Sequence, residues 1–136
     1  MIAVDVNILA YLWIPGEMTA FAEAALKRDP HWITSILWRS EMRNILTGYI
    51  RRGQLDVAVA ERCLASAESQ MAGFEFIVPS RLVMKKVVCS ECSAYDCEYV
   101  ALADDLNVSL VTSDRKILKQ FAPYTIGLKV FAEGKR

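Results

Sequence analysis

The sequence predicts an α/β protein with a central, mostly parallel sheet covered by helices on both faces. Three observations carry this. Short apolar, β-branched runs recur along the chain, helical patterns separate them, and no alternating apolar–polar pair marks a hairpin. Strands buried on both faces read as continuous apolar runs, and the intervening helices supply the crossovers that parallel pairing needs.

The elements follow in order. Ile2–Val6 reads as a buried strand and Asn7–Trp13 as a short helix stopped near Pro15-Gly16. A helix over Glu17–Arg28 is broken by Asp29-Pro30, and Trp32–Thr34 follows as a short strand. Ser35 is positioned to cap a long helix ending at Arg52, with Gly53 as its stop. Asp56–Met71 reads as a helix closed by Gly73, Phe74–Val78 as a strand and Arg81–Cys89 as a helix. Ser93 opens a helix that ends near Asn107. Ser109–Thr112 is a strand, Asp114–Phe121 a short helix and Leu128–Phe131 the final strand.

Composition narrows the class. A chain of 136 residues is read as one domain, 1–136, large enough to bury its own core. Hydrophobic content of 54% with 24% charged residues fits a globular protein in water. No apolar run approaches the roughly 20 residues that span a bilayer, so no membrane association is expected. The start, MIAVDVNILAYLW, has no basic leader and carries Asp5 within its apolar run, which does not fit a signal peptide. A cytoplasmic location is therefore expected, with Cys63, Cys89, Cys92 and Cys97 reduced. A formal net charge of zero argues against coating nucleic acid by bulk charge.

The stretch CSECSAYDCEYVALADD, Cys89–Asp105, holds three cysteines and five acids and raises the question of a metal. A structural zinc site wants four ligands, and His31, the sole histidine, lies far off in sequence. The thiols are therefore expected to be bystanders.

Four acids fall where a parallel sheet gathers functional groups, near the carboxyl ends of strands. Asp5 ends the first strand, as an N-cap for the next helix or as a cation ligand. Glu41 sits about 60° from the centre of the apolar stripe of its helix, with no basic partner three or four residues away. It is a boundary glutamate reaching water, or a ligand. Asp96 is in the first turn of an almost wholly apolar helix, where Ser93 and Asp96 resemble a capping box. Asp114 follows SLVT and could also be a cap, with the Thr112 hydroxyl close by. Converging carboxylates raise one another's pKa unless a cation lies among them, and their hard oxygens suit Mg²⁺ or Mn²⁺.

Asp5 and Asn7 in VDVNIL, Glu41 in SEMRNIL, Asp96 in SAYDCEYVALA and Asp114 in LVTSDRKIL together resemble the motifs of a PIN domain. The resemblance is strongest to the VapC-like ribonuclease toxins of type II toxin–antitoxin pairs, and it covers essentially the whole chain. It implies a three-layer α/β/α sandwich and a metal-dependent endoribonuclease, usually a homodimer, silenced by a cognate antitoxin. The four acids would be its catalytic and metal-holding residues, with Asn7, Ser93 and Thr112 supporting them by hydrogen bonds. Arg39, Arg43, Arg115 and Lys116 are candidates for holding RNA phosphates or an antitoxin's acidic segment. Trp13, Trp32 and Trp38 read as core or interface residues rather than base-stacking ones. The alternatives are a catalytically silent PIN-like binding module and a receiver-type phosphoacceptor. A receiver wants an acidic pair before its phosphorylated aspartate, and here the first strand ends in Asp5 alone.

Overall fold

Ile2, Ala3 and Val4 are all buried and form β1 (Ile2–Val4), the middle strand of a five-stranded sheet in this computed structural model, which describes residues 1–135. On one side β1 pairs with β2 (Trp32–Ser35), Ile2 opposite Trp32, and β2 pairs with the two-residue β3 (Glu75–Phe76). On the other side β1 pairs with β4 (Leu110–Thr112), Val4 opposite Val111, and β4 pairs with β5 (Thr125–Gly127). Every pairing is parallel and the order is β3-β2-β1-β4-β5. The chain thus builds outward from β1 in one direction and then returns to build in the other. Such a reversal opens a crevice beyond the carboxyl ends of the two strands where it occurs, here β1 and β4.

Helices flank this sheet. They are α1 (Val6–Trp13), α2 (Thr19–Arg28), α3 (Trp38–Arg51), α4 (Val57–Met71), α5 (Ser80–Val88), α6 (Ala94–Asp105), α7 (Arg115–Gln120) and α8 (Leu128–Ala132). The α/β class and parallel sheet are as expected, and the sheet is parallel throughout. α6 lies against β1, β2 and β4, which explains why Cys97, Tyr99, Val100, Ala101, Leu102 and Ala103 are all buried. A helix apolar on nearly every side has no solvated face to keep. α1 touches β1, β4, α2, α3 and α4. Where α3 and α4 end, Gly53 and Gly73 take φ of 71° and 84°, a left-handed conformation that a residue with a Cβ rarely adopts.

Several boundaries differ from the sequence reading by a residue or two, the Phe74–Val78 strand shortens to Glu75–Phe76, and three differences bear on the site or the topology. Leu128–Phe131 is helical, not a strand, and the last strand is Thr125–Gly127. Leu128 and Phe131 are the buried pair of α8, a helical i, i+3 spacing in a run too short to separate the two periods. Ser35 does not cap α3: it stays in β2, and α3 begins at Trp38. The Ser35 hydroxyl accepts from the Leu37 amide at 3.2 Å and donates to the Glu98 carboxylate, so it ties β2 to α6 instead. β1 ends at Val4, and Asp5 begins the turn into α1.

Arg39 joins three elements. Its guanidinium donates to both oxygens of Glu75, at 2.6 and 2.8 Å, and also reaches Glu68 on α4. The Trp38 indole donates to the same Glu75 carboxylate at 2.9 Å. Arg39 beside it holds the Glu75 carboxyl below the usual glutamate range. Replacing Glu75 by alanine leaves a buried indole N–H and a guanidinium without their acceptor. Glu75→Ala is expected to destabilise the fold by about 1–3 kcal/mol, read from the denaturant midpoint, and an unchanged midpoint would show the network to be ornamental.

Candidate functional site

Asp5, immediately after β1, is 4% exposed. Its Oδ1 accepts from the Ile8 amide at 3.4 Å, which makes it the N-cap of α1. Its Oδ2 accepts from the Thr112 hydroxyl at 2.5 Å, which ties the end of β1 to the end of β4. The same Thr112 oxygen accepts from the Asp114 amide at 3.1 Å, and Asp114 Oδ1 caps α7 through the Ile117 amide at 3.0 Å. Thr112 therefore holds both strand-end acids in register.

Asp96 enters from α6, where its amide donates to the Ser93 hydroxyl at 3.1 Å. Glu41 enters from the first turn of α3, and the buried Tyr99 hydroxyl donates to its Oε1 at 2.6 Å. These four acids line one open cavity of about 390 Å³ together with Asn7, Ser40, Asn44, Tyr95 and Tyr99. No lysine, arginine, histidine or cysteine is in that lining.

The electrostatics follow from this crowding. Burial first, and then Asp96 and Asp114, push Asp5 up to about 7, although the Thr112 and Ile8 hydrogen bonds oppose the shift. Burial also raises Glu41, with Asp96 and Glu98 adding to it and Tyr99 opposing. Asp96 is raised by burial and then by Asp114, with Ser93 and Lys116 opposing. Tyr99 is held neutral by burial and by its bond to Glu41. The donor set fits a hard divalent cation: carboxylates crowded without a basic side chain among them are relieved by one. They are not closed into a cage, for among the described residues no three acidic, histidine or cysteine side chains already form a ligand group. An ion that keeps several of its own waters needs no such cage.

The other predicted residues are dispersed. Asn7 lines the cavity, and Ser93 and Thr112 make the bonds described above. Arg43 is exposed on α3 and donates to Ser40 at 3.1 Å, and Arg115 and Lys116 are exposed in the first turn of α7. Arg39 is committed to Glu75 and Glu68 instead of the cavity. Trp32 and Trp38 are buried, and the Trp13 indole donates to Gln70 at 2.7 Å. Burial raises the Cys92 and Cys97 thiols.

Tyr99 enters the sequence reading only as one of the residues of an almost wholly apolar helix, and Glu98 does not enter it. Tyr99 is three residues beyond Asp96, hence on the same helix face, a signal that was available. Glu98 meets Ser35 from 63 residues away, and nothing local announces that.

The shifted acids give stability a pH dependence. Asp5 holds its proton more tightly in the folded chain, up to about 7, than an ordinary aspartate does at 3.8. Between those values the unfolded chain has released a proton that the folded one keeps, so this contribution to stability falls as pH rises. The raised Glu41 and Asp96 act in the same direction. Without divalent ions, Asp5→Asn should flatten the decline, by at most about 1.4 kcal/mol per pH unit, since asparagine still caps α1. Parallel wild-type and variant stability curves between pH 4 and 7 would refute a buried, proton-hungry Asp5.

Comparison with known proteins gives the same picture from another side. Ribonuclease VapC3 of Pyrobaculum aerophilum is 28% identical over 129 residues, 88% of this chain and 94% of that protein. The crystal structure of PAE2754 from Pyrobaculum aerophilum superposes with a TM-score of 0.77 at 25% identity, covering 97% of this chain and 93% of the other. A chain of a toxin–antitoxin complex from Klebsiella pneumoniae shares the fold with a TM-score of 0.64 at 20% identity, over 94% and 98% of the two chains. A family description, PIN domain, matches residues 2–122, from β1 through α7 and so across all four acids, and the chain belongs to the PIN domain family.

Proposed function

We propose that this protein is an endoribonuclease that hydrolyses RNA phosphodiester bonds, acting as the toxin of a type II toxin–antitoxin pair. The observation that carries the proposal is the acid-lined cavity at the β1/β4 reversal, in a chain that matches a ribonuclease over most of both lengths. Asp5, Glu41, Asp96 and Asp114 would hold Mg²⁺ or Mn²⁺. Such an ion, when bound, supplies activation of water and neutralisation of charge at the phosphate.

The chain's own residues do the positioning. Thr112 fixes the Asp5 carboxylate by its 2.5 Å bond, and Tyr99 fixes Glu41 by its 2.6 Å bond. Capping consumes one oxygen of Asp114 and leaves the other free to turn inward. With no histidine or cysteine in the lining, water rather than a side chain is the nucleophile that this cavity suits. Arg43, Arg115 and Lys116 are exposed near the acids and would meet the RNA backbone or an acidic antitoxin segment.

Ribonuclease activity is expected to require Mg²⁺ or Mn²⁺ and to fall by about 10²-fold or more in Asp5→Asn and Asp96→Asn. Neither change removes a cap, because the Ser93 bond uses the Asp96 amide and asparagine caps as well as aspartate. Circular dichroism should therefore match wild type. Full cleavage in excess EDTA, or by folded Asp96→Asn, would overturn the mechanism.

Homodimerisation is proposed through β3 and α5. The residue after β3, Ile77, is 86% exposed, and Val88 and Met84 on α5 are 80% and 50% exposed. Apolar side chains left this exposed suit burial against a second copy. Ile77→Glu combined with Val88→Glu should convert a dimer to monomer in sedimentation, with the melting of the monomer intact. A dimer that survives both charges must use another face.

A further inference from the structure

Two tyrosines line the acid cavity, and they are in opposite states. Tyr99 is 2% exposed and spends its hydroxyl on Glu41. Tyr95 is 64% exposed, and among the described residues its hydroxyl has no hydrogen-bond partner. An exposed aromatic ring on a rigid helix, with nothing in the fold to cover it, needs a reason. Tyr95 lies in the first turn of α6, immediately before Asp96, and that turn is pinned by the Ser93 cap. The ring thus stands at the mouth of the cavity while the neighbouring carboxylate faces in.

Charge makes this position useful. Four acids at one cavity repel the phosphates of any RNA that approaches, and the nearby cations Arg43, Arg115 and Lys116 lie outside the lining. Stacking on an aromatic face is indifferent to that repulsion and tolerates any base, since each has a π-face. The tryptophans that RNA recognition would want are occupied, Trp32 and Trp38 being buried and Trp13 bonded to Gln70, and the exposed Phe74 and Phe76 lie outside the cavity lining.

We propose that Tyr95 is a nucleobase-binding site, on which one base of single-stranded RNA stacks to set the adjacent phosphate over the four acids. This deepens the ribonuclease reading and rests on it. Stacking of one base is worth between about 5- and 150-fold in binding, and about tenfold is expected for a half-open ring.

The test uses a single-stranded oligoribonucleotide cleaved at a mapped position, with one abasic nucleotide walked through the positions flanking it. Wild type should lose about tenfold in kcat/KM for an abasic nucleotide at one flanking position only. Tyr95→Ala should lose a similar factor on intact RNA and then ignore the abasic substitution at that position. Tyr95→Phe and Tyr95→Trp should retain both activity and discrimination. The ratio of wild type to Tyr95→Ala should not change with salt, unlike that for a phosphate-contacting cation. Because Tyr95 is exposed, its truncation should leave the melting temperature unchanged. An active wild type with unchanged kcat/KM in Tyr95→Ala, or with losses that simply multiply at every position, overturns the stacking site alone. A wild type inert on every RNA overturns the ribonuclease reading and the stacking site together.

Discussion

Burying a carboxylate at the end of the central strand is costly, and the fold around it is arranged to tolerate that cost. Asp5 is 4% exposed, with only a hydroxyl and a backbone amide as partners. Burial outweighs both of these bonds and pushes the acid up to about 7. Thr112 is the hinge of the arrangement because its one oxygen both donates to Asp5 and accepts from the Asp114 amide. That geometry exists only because β1 and β4 are neighbours, Val4 opposite Val111. The strand order and the acid site are one decision.

Cap and ligand, which look like rival readings of an aspartate at a helix start, are compatible here. A carboxylate has two oxygens and several lone pairs, and a cap uses one of them. Asp114 gives Oδ1 to α7, and Asp5 divides its oxygens between α1 and β4. Asp96 does not cap its own helix, a task that falls to the Ser93 hydroxyl. Three helix starts therefore aim at one volume, and helix N-termini also favour the negative charge placed there.

The meeting of the four acids was legible because each lies at a strand end or helix start, and a parallel sheet puts those ends together. The apolar α6 was legible too, since a helix without a polar face must be buried. What escaped was non-local. Glu98 meets Ser35 and Arg39 meets Glu75 across 63 and 36 residues, and no periodicity records such partners. Arg39 looked like a surface cation beside Glu41, but the first turn of α3 directs it toward β3. Leu128–Phe131 failed for a different reason, since four residues are too few to distinguish a period of two from one of 3.6.

The pairing of β1 with β4 also has a temporal side. Ala3 sits opposite Leu110, so the central strand waits for more than a hundred residues of chain before its second neighbour exists. During synthesis the β1-β2-β3 half can form first, whereas the crevice closes only when β4 and the turn at Asp114 have left the ribosome. Loop closure over that distance is slow compared with the local helices. The acids are thus kept apart on the nascent chain, so whatever the cavity does, it begins doing it only after synthesis has passed Asp114.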